Sequence, residues 1–155
     1  MADISLEPGP EAAVDATASL VRSVRRIAQA IDVRSREISR LTGLTLPQLL
    51  VLQSIRALGE VSTSAISRDV SMSAPTVVAV LDRLEVRGLI ERYRSTTDRR
   101  IVHARLTDAG LAALKTSPGL LRDDALARWS TLPDDQKQAM AQALAMASAL
   151  ISHQD

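Results

Sequence analysis

The stretch "VSTSAISRDVSMSAPTVVAVLDRLEVRGL", Val61–Leu89, decides the fold. Ser62 and Ser73 each precede a partly apolar run. Serine is favoured just before a helix because its hydroxyl accepts a hydrogen bond from a free N–H of the first turn. After Ser62, the residues Ala65, Ile66 and Val70 give a short helix one buried side. After Ser73, the residues Val77, Val80, Leu81 and Leu84 recur at the i, i+3, i+4, i+7 spacing of a longer helix. Pro75 falls in its tolerated first turn, and Gly88 closes it. A tight break at Ser71-Met72 separates the two, which makes a helix-turn-helix.

Opposite its apolar stripe, the second helix carries Ser73, Ala74, Thr76, Ala79, Arg83 and Arg87. Small residues near its start suit entry into a DNA major groove about 12 Å wide. Free N–H groups at a helix start suit phosphate. An ordinary helical hairpin with a solvated outer face shows the same pattern, so both readings stand at this point.

The next segment, "ERYRSTTDRRIVHARLT" (Glu91–Thr107), favours the first reading. It holds five arginines in seventeen residues. Val102, Ala104 and Leu106 alternate with Ile101, His103 and Arg105, the period of a strand. With a weaker first arm over Leu89–Arg94, this is a hairpin directly after the helix-turn-helix, which is a wing. A wing tip can reach the neighbouring minor groove, where a narrow groove focuses negative potential onto arginine. Arg99 or Arg100 would supply that contact, with Asp98 pairing to an arginine and fixing the loop. The alternative makes Asp98 a common turn residue and the arginines a solvated edge that discourages strand aggregation.

Outside this region the pattern is helical. A helix opens near Pro10–Asp15 and runs to about Thr42, with Leu20, Val24, Ile27, Ile31, Ile38 and Leu41 forming a stripe that Arg34 interrupts. Thr45 to Gln48 fits a capping box at the start of a helix over Leu46–Leu58, closed by Gly59. Thr107 starts another helix through Lys115; Pro118-Gly119 interrupts it, and helix is expected to resume over Leu120–Ser130. Asp134 and Asp135 mark a last helix striped by Met140, Leu144, Ala147 and Ile151. The stripes on the first and last helices are longer than a small winged-helix core can cover, so a partner surface is expected.

At 155 residues one compact domain is the default. There is no Phe, one Tyr and one Trp, so an aromatic-lined enzyme pocket is not expected. The absence of cysteine excludes disulfides, cysteine-held metal and thiol switching. His103 and His153 fall in different elements, so no metal site and no cofactor are expected. The first residues, "MADISLEPGPEA", lack a signal-peptide pattern, and no apolar run approaches a membrane span. A cytoplasmic protein is expected. Net charge is only +1, but Ser62–Thr107 holds eight arginines against five acids. The positive charge is therefore concentrated in the middle third.

With these residues in view, "LDRLEVRGLIERYRSTTDRRIVHARLTDAG" (Leu81–Gly110) resembles the signature region of the multiple-antibiotic-resistance regulator (MarR) family of bacterial repressors. The likeness lies in the Leu-Glu-x-x-Gly-Leu-Ile-x-Arg exit from the second helix, the Asp-Arg-Arg tip and the Leu-Thr-x-x-Gly opening of the next helix. "SAPTVVAVLDRL" is similar to the family's recognition helix, and Leu-Pro-Asp-Asp at the last helix resembles its Leu-x-x-Glu region. The resemblance covers about residues 14–153.

It implies a mainly α chain with a small β-hairpin wing, as one domain over 1–155. A winged helix-turn-helix lobe would occupy 45–107, with dimerisation helices over 10–42 and 120–153. It further implies a homodimer on double-stranded DNA with a pseudo-palindromic operator. Asp98 would brace the wing, Arg100 would enter the minor groove, and Ser73, Thr76 and Arg83 would face the major groove or its phosphates. A small aromatic or anionic effector is implied, with no pocket assigned. The break at Pro118-Gly119 departs from the family's pattern of an unbroken helix there.

The reading is therefore a ligand-responsive repressor that binds and does not catalyse. A winged-helix protein–protein interaction module without DNA binding is the alternative.

Overall fold

The computed structural model describes residues 10–152, with side chains from Asp15 onward. His153 and residues 1–9 of the stretch read for a signal peptide lie outside the described residues. The chain forms α1 (Pro10–Thr42), α2 (Leu46–Leu58), β1 (Val61–Ser62), α3 (Thr63–Asp69) and α4 (Ala74–Val86). These are followed by β2 (Ile90–Arg94), β3 (Val102–Leu106), α5 (Asp108–Thr116), α6 (Asp123–Thr131) and α7 (Asp134–Ile151).

The helix starts in the middle of the chain are set by the side chains the sequence singles out. Thr45 Oγ1 accepts from the Gln48 N–H at 3.4 Å while Gln48 Oε1 accepts from the Thr45 N–H at 2.9 Å, closing the capping box. Ser62 caps α3 through the Ala65 N–H, and Ser73 caps α4 through the Thr76 N–H, each at 3.3 Å. Thr107 Oγ1 accepts from the Gly110 N–H at 3.1 Å and donates to the Gly88 carbonyl at 2.7 Å. One hydroxyl thus starts α5 and fastens it to the exit of α4. Gly43 and Gly88 end α1 and α4 with φ at +67°, where a side chain would be strained.

The three strands pair antiparallel in the order β1-β3-β2. The hairpin register runs from Ile90↔Leu106 to Arg94↔Val102. Strand β1 was not foreseen, because two residues are too short to show a period; it pairs Val61 with Ala104, both buried. Ile38, Leu44, Leu49, Leu52, Ile55, Ile66, Val77, Leu81, Leu84 and Ile90 form the center of the core.

The chain divides into two compact units. One is Val33–Gly119; the flanking segments, up to Asp32 and from Leu120, form the other. The lobe is larger than the expected 45–107, because its core takes Ile38 from the end of α1 and Leu114 from α5. Ile38 therefore leaves the stripe assigned to dimerisation: it is fully buried in the lobe, whereas Leu20, Ile27, Ile31 and Leu41 are exposed.

In the flanking unit, α6 and α7 bury no residue. Leu126, Met140, Leu144, Leu150 and Ile151 are all exposed, and so is Trp129. Single exposed apolar residues are ordinary, but here they run along successive helices.

Pro118-Gly119 splits the helix: α5 stops at Thr116 and α6 begins at Asp123, three residues later than expected. Ser117 takes extended angles before the proline, and Arg122 does so before α6, whose first turn carries Asp123 and Asp124. The break has a partner. Arg34, the residue that interrupts the apolar stripe of α1, donates through Nε (3.1 Å) and Nη2 (2.9 Å) to the Gly119 carbonyl. Its Nη1 pairs with Glu37 at 2.8 Å, and its side chain is only 12% exposed. Arg34→Ala is expected to cost the lobe about 1.5–3 kcal/mol, the worth of hydrogen bonds from a charged donor. Chemical denaturation checks this; an unchanged midpoint would show that solvent replaces the clasp at no cost.

Candidate nucleic-acid interface

Helix α4 packs Val77, Val80, Leu81 and Leu84 into the core, so its opposite side faces out. Ser73, Ala74, Thr76, Ala79, Arg83 and Arg87 are all exposed, as the spacing requires. Ser73 Oγ and Thr76 Oγ1 share a hydrogen bond of 2.7 Å at the helix start. Val78, 41% exposed, lies off the buried stripe and joins the outer face; the sequence reading passed over it because an apolar residue reads as core. A valine there suits contact with a thymine methyl group.

Arg87 departs from this group. Its Nη1 donates to the Gly43 carbonyl at 2.8 Å, which braces the end of α4 against the end of α1. Together with Thr42, Leu44, Leu89, Thr116 and Ser117, it lines a cavity of about 220 Å³ inside the lobe. Helical spacing put Arg87 in line with Arg83, but a residue at the cap reaches past the helix end.

The wing is built by hydrogen bonds within its tip. Ser95 is buried, and its Oγ accepts from the N–H groups of Thr97 (3.2 Å) and Asp98 (3.3 Å). Asp98 Oδ1 accepts from the Arg100 N–H at 3.0 Å, and the Asp98 carbonyl accepts from the Ile101 N–H at 2.9 Å. Asp98 therefore fixes the loop through the main chain of Arg100, not by pairing with a guanidinium. Arg99 and Arg100 are both exposed. Arg100 lines a hollow of about 360 Å³ with Ser62, Thr63, Ser64 and Ala74, which begin α3 and α4. Arg99 is not among the residues lining that hollow.

Two further wing arginines, Arg92 and Arg105, are held by acids. Arg105 pairs with Glu91 at 2.9 Å and lies 5.4 Å from the Tyr93 ring centre. Tyr93 stacks on His103 at 5.6 Å between centroids and donates its hydroxyl to Glu60, whose carboxylate holds the phenol above its ordinary pKa. Arg92 pairs with Asp82 and Glu85 of α4.

Among the described residues no cluster of His, Cys, Asp and Glu fits a metal ion, and no helix is long and apolar enough to cross a membrane.

The comparisons agree with this geometry. Residues 44–102 match the MarR family model. Over 93 residues the chain is 31% identical to the HTH-type transcriptional regulator YsmB of Bacillus subtilis, covering 60% of this chain and 64% of that protein. It is 34% identical over 88 residues to the HTH-type transcriptional repressor MdtR of the same organism, covering 57% of each. The chain thus spans about three fifths of the length of these relatives. Wild-type MarR from E. coli in its apo form superposes with a TM-score of 0.60 at 25% identity, over 81% of this chain and 93% of that one. The segment that matches the MarR family model runs from the start of α2 through α3, α4 and β2 to the first residue of β3, the winged helix-turn-helix of this chain.

Proposed function

We propose that this protein is a dimeric, sequence-specific DNA-binding transcriptional regulator: a cytoplasmic repressor, released by a small aromatic or anionic effector, that works by binding and not by catalysis. One observation carries the reading. The exposed face of α4 is made of small and basic residues and stands beside a wing whose Arg100 opens onto the same hollow as Ala74. Ser73, Ala74, Thr76, Ala79 and Arg83 would meet the major groove or its phosphates, and Arg100 the adjacent minor groove. MdtR, to which the chain is similar, is itself a repressor.

The exposed apolar side chains of α1, α6 and α7 support a homodimer joined through those helices. Sedimentation at micromolar concentration is expected to give the mass of two chains; a monomer mass would remove the dimer from the proposal. DNA binding is tested by titrating the DNA beside the protein's own gene. Tight binding is expected, with log K falling by about 0.9 per unit of log salt for each phosphate neutralised. Binding that stays weak and sequence-blind at physiological salt would leave the protein–protein interaction module in its place.

A further inference from the structure

We infer that Arg92 is a positioning residue that locks the wing to the DNA-reading helix, and that Asp82 and Glu85 of that helix serve DNA recognition as its anchors. The inference rests on the proposed DNA-binding function. Arg92 lies on β2 opposite Ala104, on the sheet face turned toward the core. Its Nη2 meets Asp82 Oδ1 at 2.7 Å and Glu85 Oε2 at 2.5 Å, and its Nε meets Glu85 Oε2 at 2.9 Å. The main-chain N–H of Arg92 donates to Glu85 Oε1 at 3.3 Å. Glu85 therefore holds both the side chain and the backbone of β2, while Asp82, one turn earlier, holds the same guanidinium from the side. Packing alone would need only an apolar residue here. A planar fork between two carboxylates also fixes direction.

Direction matters because the wing is a lever. From its root at Leu89 the arm spans about 20 Å to the tip, at roughly 3.3 Å per residue. A swing of about 10° at the root moves Arg100 by roughly 3–4 Å, more than a hydrogen bond tolerates. Two acids on a DNA-reading helix repel phosphate; tied to Arg92 their charge is halved and they are put to structural use. Hydrogen bonding to Arg92 holds the Glu85 carboxyl below its ordinary pKa. Glu85 therefore keeps its hold on Arg92 at neutral pH and gives it up as the pH falls through that lowered value.

The test compares the full-length protein with Arg92→Ala, Arg92→Lys and the double variant Asp82→Asn/Glu85→Gln on specific DNA across a salt series. Each is expected to lose affinity by about tenfold or more, because each frees the wing that presents Arg100. The salt slope should stay unchanged, and adding Arg92→Ala to Arg100→Ala should cost little further. If Arg92 instead touches phosphate, Arg92→Ala flattens the slope by about 0.9 and Arg92→Lys keeps most of the affinity. Removing the two acids would then tighten binding. That set of results would overturn the inference.

A second measurement needs no DNA. In the free protein, amide exchange at β2 and β3 should quicken in Asp82→Asn/Glu85→Gln while α2 stays protected. Unchanged exchange in the wing overturns the lock. If the wild-type protein binds no specific DNA, the proposed function fails and the exchange result alone decides whether Arg92 locks the wing.

Discussion

Gly110→Ala is expected to destabilise the winged-helix lobe by roughly 3 kcal/mol, the upper end of what overpacking usually costs. A Cβ at position 110 would stand 2.1 Å from the Leu89 carbonyl oxygen and 3.1 Å from its carbon, with Leu106 Cδ2 at 3.3 Å. The obstructing atoms are backbone and cannot turn aside. The Leu89 carbonyl accepts from the Thr107 N–H at 3.1 Å, and the Leu89 N–H donates to the Leu84 carbonyl at 3.0 Å. To admit a methyl group, the start of α5 has to move off the exit of α4 and break those bonds. Denaturant unfolding measures the loss; a midpoint equal to the wild type would mean that α5 shifts freely. The glycine in the Leu-Thr-x-x-Gly motif is therefore required by the close approach of two backbones.

Arg100→Ala is expected to weaken binding to specific DNA by about 1–3 kcal/mol, roughly 5- to 150-fold, with dimer mass and thermal midpoint unchanged. The guanidinium is exposed on a tip that Ser95 and Asp98 hold together through main-chain N–H groups. Removing it therefore takes nothing from the fold. Arg99→Ala should cost less, since Arg99 is not among the residues that line the hollow beside the starts of α3 and α4. A larger loss from Arg99→Ala than from Arg100→Ala would assign the groove contact to the other arginine.

What was legible in the sequence was local. Ser62, Ser73, Thr45 and Thr107 could be placed as caps because a cap and its acceptor lie within three residues of each other. Val77, Val80, Leu81 and Leu84 could be placed because a helix repeats. What the sequence hid were contacts between residues distant along the chain. Arg87 lay on the outer face by helical spacing, yet it reaches a carbonyl 44 residues away. Arg34 and Gly119 each stood out as an interruption, and a separation of 85 positions along the chain hid that they interrupt for the same reason. Ser95 gave no signal, since a serine in a polar loop has no period; its role lies in the N–H groups its hydroxyl collects.

Footprinting of the dimer on the DNA beside its own gene tests the central claim most directly. Two α4 helices and two wings related by a twofold axis should protect two half-sites about 10 base pairs apart on one face of the duplex. Minor-groove protection should lie to their outer sides and disappear with Arg100→Ala. Coverage that is continuous, indifferent to sequence and unchanged in Arg100→Ala would contradict the account.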